Sequence, residues 1–220
     1  MDTISKGLQN ELVPRMQSLG FIRSKNAFIR VVNEETTLRV SVQILKDRPS
    51  GAFFPRVGFI NWKIQKFIDH LDGSKTPVRD VPPTLSVTLG YLIPGPLRTE
   101  WLFSDIPSMH KAVCEIVQAI REYGMPFMMR YPDLSFLRAW AQDPATEKHA
   151  SCRYVALLRA VIFYLLGDWD SARRLVTQEI SATGKDTSDQ YHLVPIVRLQ
   201  EILNQNNRGH TQLKGSGTGL

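Results

Sequence analysis

Thr37-Leu38-Arg39-Val40-Ser41-Val42-Gln43-Ile44-Leu45 is the stretch that decides how this chain folds. Leu38, Val40, Val42 and Ile44 alternate with Arg39, Ser41 and Gln43. Successive strand side chains point to opposite faces, so the alternation predicts a strand buried on one side and wet on the other. Such strands belong to antiparallel sheets. Upstream, residues 27–32 are β-like, and Asn33-Glu34-Glu35-Thr36 joins the two as a hairpin. That connection accounts for the paired glutamates without giving them chemistry. Downstream, residues 56–62 read as a third strand, and 84–93 and 98–103 as two more joined by Pro94-Gly95-Pro96.

Helical periodicity flanks this block. Ile4, Leu8, Leu12, Val13, Met16 and Leu19 recur at three- and four-residue spacing, with Pro14 expected to kink or divide the helix and Gly20 to cap it. Ile64, Phe67, Ile68 and Leu71 predict a short helix before Asp72-Gly73-Ser74, followed by a loop rich in proline and charge up to Pro83. Ser104 or Asp105 can cap a longer helix with Pro107 in its first turn, a stripe of Met109, Val113, Ile116, Val117 and Ile120, and a stop near Gly124-Met125-Pro126. After Pro132 the β signal ends, and 133–141, 148–166, 169–181 and 190–204 all read as helices. The expected fold class is therefore α+β: an antiparallel sheet of about five strands, with an N-terminal helix and a long helix packed on it, followed by a C-terminal helical bundle. In domain terms this gives an α+β domain over 1–132, a helical unit over 133–205, and a tail over 206–220 expected to be disordered.

Composition narrows the classes. With 43% hydrophobic residues, 14 Gly and 13 Pro in 220, fibrous and wholly disordered chains are excluded. The longest apolar run, 160–166, falls far short of the roughly 20 residues a membrane-spanning helix needs, so no membrane partner is expected. The first residues lack the basic start and apolar stretch of a secretory signal, and only Cys114 and Cys152 are available for disulfides. A cytoplasmic location is the expectation. The net charge of +6 is segregated: up to Lys66 there are 11 Lys and Arg against 5 Asp and Glu, and beyond it 16 of each. Two readings fit Arg23, Lys25, Arg30, Arg39, Lys46, Arg48 and Arg56. They are solvated positions on an open sheet face, or they form a positive surface for an acidic protein or for nucleic acid.

Chemistry-bearing constellations are sparse. His110 with Cys114 and His149 with Cys152 offer the ligand types zinc prefers, but 34 residues separate the two thiol–imidazole pairs and Cys114 sits beside Val113 and Val117, where a free cysteine reads as a small buried hydrophobe. No Gly-x-Ser-x-Gly elbow occurs, and Gly215, Gly217 and Gly219 have no helix to open. Asp69, His70 and Asp72 read as a helix-end cluster. No catalytic residue, metal site or cofactor is expected. The aromatic candidates for holding a partner are Trp62, Phe53 and Phe54, the last two placed by Pro49-Ser50-Gly51 in an exposed loop, whereas Trp101 and Trp140 read as core.

Leu12-x-Pro14-x-Met16-x-x-Leu19-Gly20-Phe21-x-Arg23-Ser24, Phe28-x-Arg30, Val40-x-Val42-Gln43, Tyr123-Gly124-Met125-Pro126-Phe127 and Asp133-Leu134 together resemble the bacterial family called domain of unknown function 4304, over roughly the first 140 residues. In the helical part, Ala160, Phe163, Gly167, Trp169 and Ala172 resemble one tetratricopeptide helix pair, without a second copy. The family resemblance carries no catalytic residues. It implies a non-catalytic bacterial protein that binds another protein, of the kind represented by immunity proteins of toxin systems, with nucleic-acid binding through Arg23, Lys25, Arg30 and Arg39 as the alternative.

Overall fold

A computed structural model describes residues 3–47, 50–73, 81–96, 100–130, 134–143, 155–183 and 190–214. Helix α1 (Thr3–Ser18) passes through Pro14 as one element and ends at Gly20, whose φ is +81°. The amide of Gly20 donates to the Gln17 carbonyl and that of Phe21 to the Met16 carbonyl, the paired closure that a left-handed glycine permits.

Six antiparallel strands follow: β1 (Ile22–Ser24), β2 (Ala27–Asn33), β3 (Thr36–Asp47), β4 (Ser50–Asn61), β5 (Leu85–Thr88) and β6 (Trp101–Phe103). They lie in the order β1-β2-β3-β4-β5, and β6 pairs with β4 at residues 51–53 while β5 pairs with it at 56–59. The α+β class is therefore observed, with one strand, β1, too short for its periodicity to register. The alternation that opens the sequence holds: Leu38 and Val40 are fully buried opposite Phe59 and Val57, while Gln43 is exposed on the other face.

Two strand boundaries differ from expectation, each for a physical reason. β4 begins at Ser50 and not near Arg56, because Gly51 is a strand glycine: a methyl group there would run into the Phe103 ring. Pro55, inside β4, lies where the strand faces neither β5 nor β6 and no amide hydrogen is required. β5 stops at Thr88 because the next residue of β4 it would meet is Pro55, which has no hydrogen to donate, and the chain tightens into a 3₁₀ turn over Leu89–Leu92.

β4 runs straight into α2 (Trp62–Asp72), capped by Asn61, whose side chain accepts from the amides of Lys63 and Ile64 at 3.1 Å each. Asp105 caps α3 (Ile106–Ala119) in a capping box with Ser108. Met109, Val113, Ile116, Val117 and Ile120 are buried as their spacing predicts. The helix does not stop at Gly124 as expected. It passes through a π turn, Ile120–Gly124, into α4 (Met125–Arg130), and the amide of Met125 reaches the Ile120 carbonyl five residues back. Pro126 brings no amide to this ladder, and the wide turn gives its ring the room that a regular turn denies.

α5 (Leu134–Gln142), α6 (Val155–Leu165), α7 (Trp169–Thr183) and α8 (Gln190–Lys214) form the helical part. Gly167, at φ +78°, makes the tight α6–α7 turn, and Ala160 and Ala172 are buried where these helices meet. This part rests on α2: the Phe67 and Tyr164 rings stack with centroids 4.9 Å apart, and Arg198 Nη1 donates to the Leu71 carbonyl at 2.7 Å. Buried side chains form one cluster running through sheet and helices alike. α8 continues to Lys214 across the stretch expected to be disordered from Asn206, since extending an established helix needs no new nucleus. Residues 215–220, with Gly215, Gly217 and Gly219, lie outside the described residues, as does most of the loop before Pro83.

Candidate functional site

The pleat divides the expected basic surface. Arg23 pairs in register with Phe28, and Arg30 with Leu38, which places both on the helix-covered face of the sheet; Arg39 lies on the opposite face, opposite Ile29 and Gly58. Two of these arginines have structural work. Arg30 Nη1 donates to the Leu19 carbonyl at the end of α1 at 3.0 Å, and Arg39 Nη1 donates to the carbonyl of the buried Val81 at 2.6 Å. Arg23, Lys25, Arg30 and Arg39 thus do not form one patch.

Arg23 and Lys25 are instead brought together at the β1–β2 hairpin. Its register closes Ser24 on Ala27, leaving Lys25 and Asn26 as a two-residue turn with Lys25 at φ +49°. Because β2 starts at Ala27 opposite Ser41 while β3 continues to Asp47, residues 42–47 of β3 pair with β4 alone among the described residues. A groove of about 540 Å³ opens along this unequal edge. Leu12 and Val13 of α1, with Phe28, Val42 and Ile44, make its apolar floor; Arg23, Lys25 and Arg56 bring three cations, and no Asp, Glu, His or Cys lines it among the described residues. Arg56 Nη2 reaches Ser86 Oγ at 3.4 Å, a long bond that leaves most of the guanidinium's donors unspent.

The aromatic candidates scatter. Phe53 was expected in an exposed loop but is fully buried in β4, stacked on Phe103 with centroids 4.6 Å apart, for the same reason that Gly51 is a strand glycine. Phe54 is half-buried on the opposite face beside Gln43, and Trp62 opens α2 with its Nε1 donating to Thr37 Oγ1 at 3.0 Å. Trp101 and Trp140 are core. Val13, Asn26, Val42 and Ile44 were missed as site residues. The one signal available in the sequence was the unequal length of the two strands joined at Asn33.

Of the two thiol–imidazole pairs, only His110 and Cys114 lie among the described residues. Cys114 is exposed and not a buried hydrophobe, because it stands about 100° round the helix from Val113. His149 and Cys152 lie outside the described residues, and no metal-holding cluster of His, Cys, Asp and Glu occurs among the described residues. His110 Nδ1 sits 3.1 Å from Glu11 Oε1, and Arg15 bonds the other carboxylate oxygen. The Arg15 hydrogen bond holds the Glu11 carboxyl below its ordinary range; burial opposes it, and the bond and charge of His110 add to the lowering. Asp69 accepts from Gln65 Nε2 at 2.7 Å near the α2 end, a local helix contact.

Two further hollows differ in character. One, about 610 Å³, lies at the far end of β3 and β4 between Leu45, Ala52 and Leu102 and has no charged residue among its described lining; the other, about 280 Å³, lies among α5, α6 and α7 beside Arg159 and Arg174. Fold and groove together define an α+β protein with a cationic, apolar-floored cleft at an open strand edge. No family model, curated protein or solved structure matches the chain. No helix among the described residues is long and apolar enough to cross a membrane.

Proposed function

We propose that this chain is a non-catalytic protein-binding module that takes an acidic segment of a partner protein into the groove between α1, the β1–β2 hairpin and β3. One observation carries the reading: among the described residues, three cations and no carboxylate line a cleft whose floor is apolar. Opposite charge speeds encounter and sets specificity, and the apolar floor supplies the burial that holds the complex. A toxin held by its immunity protein is one partner of this kind, in keeping with the family resemblance of the first 140 residues.

The test uses the full chain and a double charge reversal, Arg23→Glu with Lys25→Glu. Binding is read by fluorescence polarisation against a panel of blocked nine-residue peptides that alternate valine, isoleucine or phenylalanine with aspartate or glutamate. The expected result is saturable binding by the parent chain, weakened about tenfold or more by the double variant, with an unchanged circular dichroism spectrum. A labelled single-stranded oligonucleotide is run in parallel. If it binds instead, with affinity falling steeply as salt rises, the same cations serve phosphate and the nucleic-acid alternative replaces this reading.

A further inference from the structure

We infer that the partner segment binds as an added β-strand along residues 42–45 of β3. This rests on the groove being a protein-binding site and says how the partner is held. Two independent observations turn the backbone of β3 outward there.

The first starts at the hairpin. A two-residue turn closes on a hydrogen-bonded pair, here Ser24 with Ala27, so Phe28, one residue on, directs its amide and carbonyl away from β1 and toward Val40. Val40 therefore faces β2, and by the same alternation so do Val42 and Ile44, past the point where β2 has begun. The second comes from the other side of β3. Val42 stands opposite Pro55, which can only be a pair that makes no ladder bond through proline nitrogen, and Pro55 turns that nitrogen to the gap between β5 and β6. Both arguments leave the amides and carbonyls of Val42 and Ile44 directed at the groove, with no β-strand beside them among the described residues. Ser41 and Gln43 direct theirs to β4.

An extended segment laid on this edge satisfies those groups and sends its side chains alternately to the two faces. On the α1 side they meet Val13, Val42 and Ile44; on the other they meet Gln43 and Arg56, with Lys25 at the hairpin tip. Alternating apolar and acidic residues match this pattern. A row of basic groups argues against self-pairing, since a second copy would bring cation to cation.

The decisive measurement is amide hydrogen exchange by NMR on the full chain, free and saturated with the tightest peptide of the alternating panel. In the free chain the Val42 and Ile44 amides are expected to exchange fast while those of Ser41 and Gln43 are protected. Peptide should slow Val42 and Ile44 by about tenfold or more and leave the other two unchanged. Methylating alternate peptide amides on the edge facing β3 should weaken binding about tenfold or more, and shifting the methyl groups by one residue should restore it. Binding that depends on Arg23 and Lys25 but leaves Val42 and Ile44 exchange unaltered would overturn strand addition and keep the acidic-segment reading. If no peptide of the panel saturates below about 1 mM, that reading falls and strand addition with it. A concentration-dependent dimer with the same two amides protected would assign the edge to a second copy and overturn the inference.

Discussion

The two ends of β3 have the same alternating sequence and opposite surroundings. At the Thr36 end, β2 and β4 flank it, Val81 and Trp62 close over its second face, and Thr36, Thr37, Leu38 and Val40 are all buried. At the far end only β4 remains, Val42 and Ile44 are half-buried, and Leu45 is 53% exposed. One end is core and the other is a surface with a strand's bonding capacity left over. Unpaired strand edges are liabilities that proteins usually blunt, and lysine or arginine is a common means. Under the proposed strand addition, the cations that discourage edge-to-edge association of like chains would also select an acidic one.

The contrast is sharpest in packing. Phe59→Ala at the closed end removes a fully buried ring and is expected to destabilise by about 3–5 kcal/mol. Ile44→Ala at the open end should cost about 1–2 kcal/mol, since its side chain already meets water in the free chain. Urea unfolding midpoints for the two variants check this, and equal losses would mean that the open end is as tightly built as the closed one. A smaller effect separates two arginines of the same sheet. Arg39→Met leaves the Val81 carbonyl without its charged donor and should cost about 1–3 kcal/mol. Arg23→Met, at an exposed position, should change stability by less than about 0.5 kcal/mol while weakening peptide binding. The smallest effect is a pH dependence away from both ends. The Glu11 carboxyl is held below its ordinary range by Arg15 and then His110. A depressed folded value adds stability above the unfolded value, and the gain is lost as pH falls through the folded one. A thermal unfolding series from pH 6 to about 3 should therefore decline slightly less steeply in Glu11→Gln than in the parent chain.

Much of this fold is legible in the sequence wherever one face is wet and the other dry. Leu38 to Ile44, the α3 stripe and the Asn33 hairpin all announce themselves because burial imposes a period. What is not legible depends on a neighbour distant in the chain. Gly51 reads as a turn until Phe103 is placed against it, and with it Phe53 moves from loop to core. The candidate site fared similarly. Charge segregation pointed to the third of the chain that lines the groove, where Arg23 and Lys25 meet, but linear order carries no information on which cations the pleat sends to the same side. Arg30 and Arg39 went to opposite faces and into bonds with carbonyls.

The π turn at Ile120–Gly124 has a consequence for comparing this chain with others. A turn of that kind is a helix that has absorbed one extra residue without changing the faces on either side, so Met109 and Met128 both still point inward. In this chain the surplus presses the Gly124 backbone toward Val57, where a methyl group would stand 3.1 Å from Cγ1. A homologue one residue shorter in this interval therefore keeps the same core if Pro126 is replaced as well. An alignment gap here marks the loss of a bulge, and it should not be read as a break between two helices.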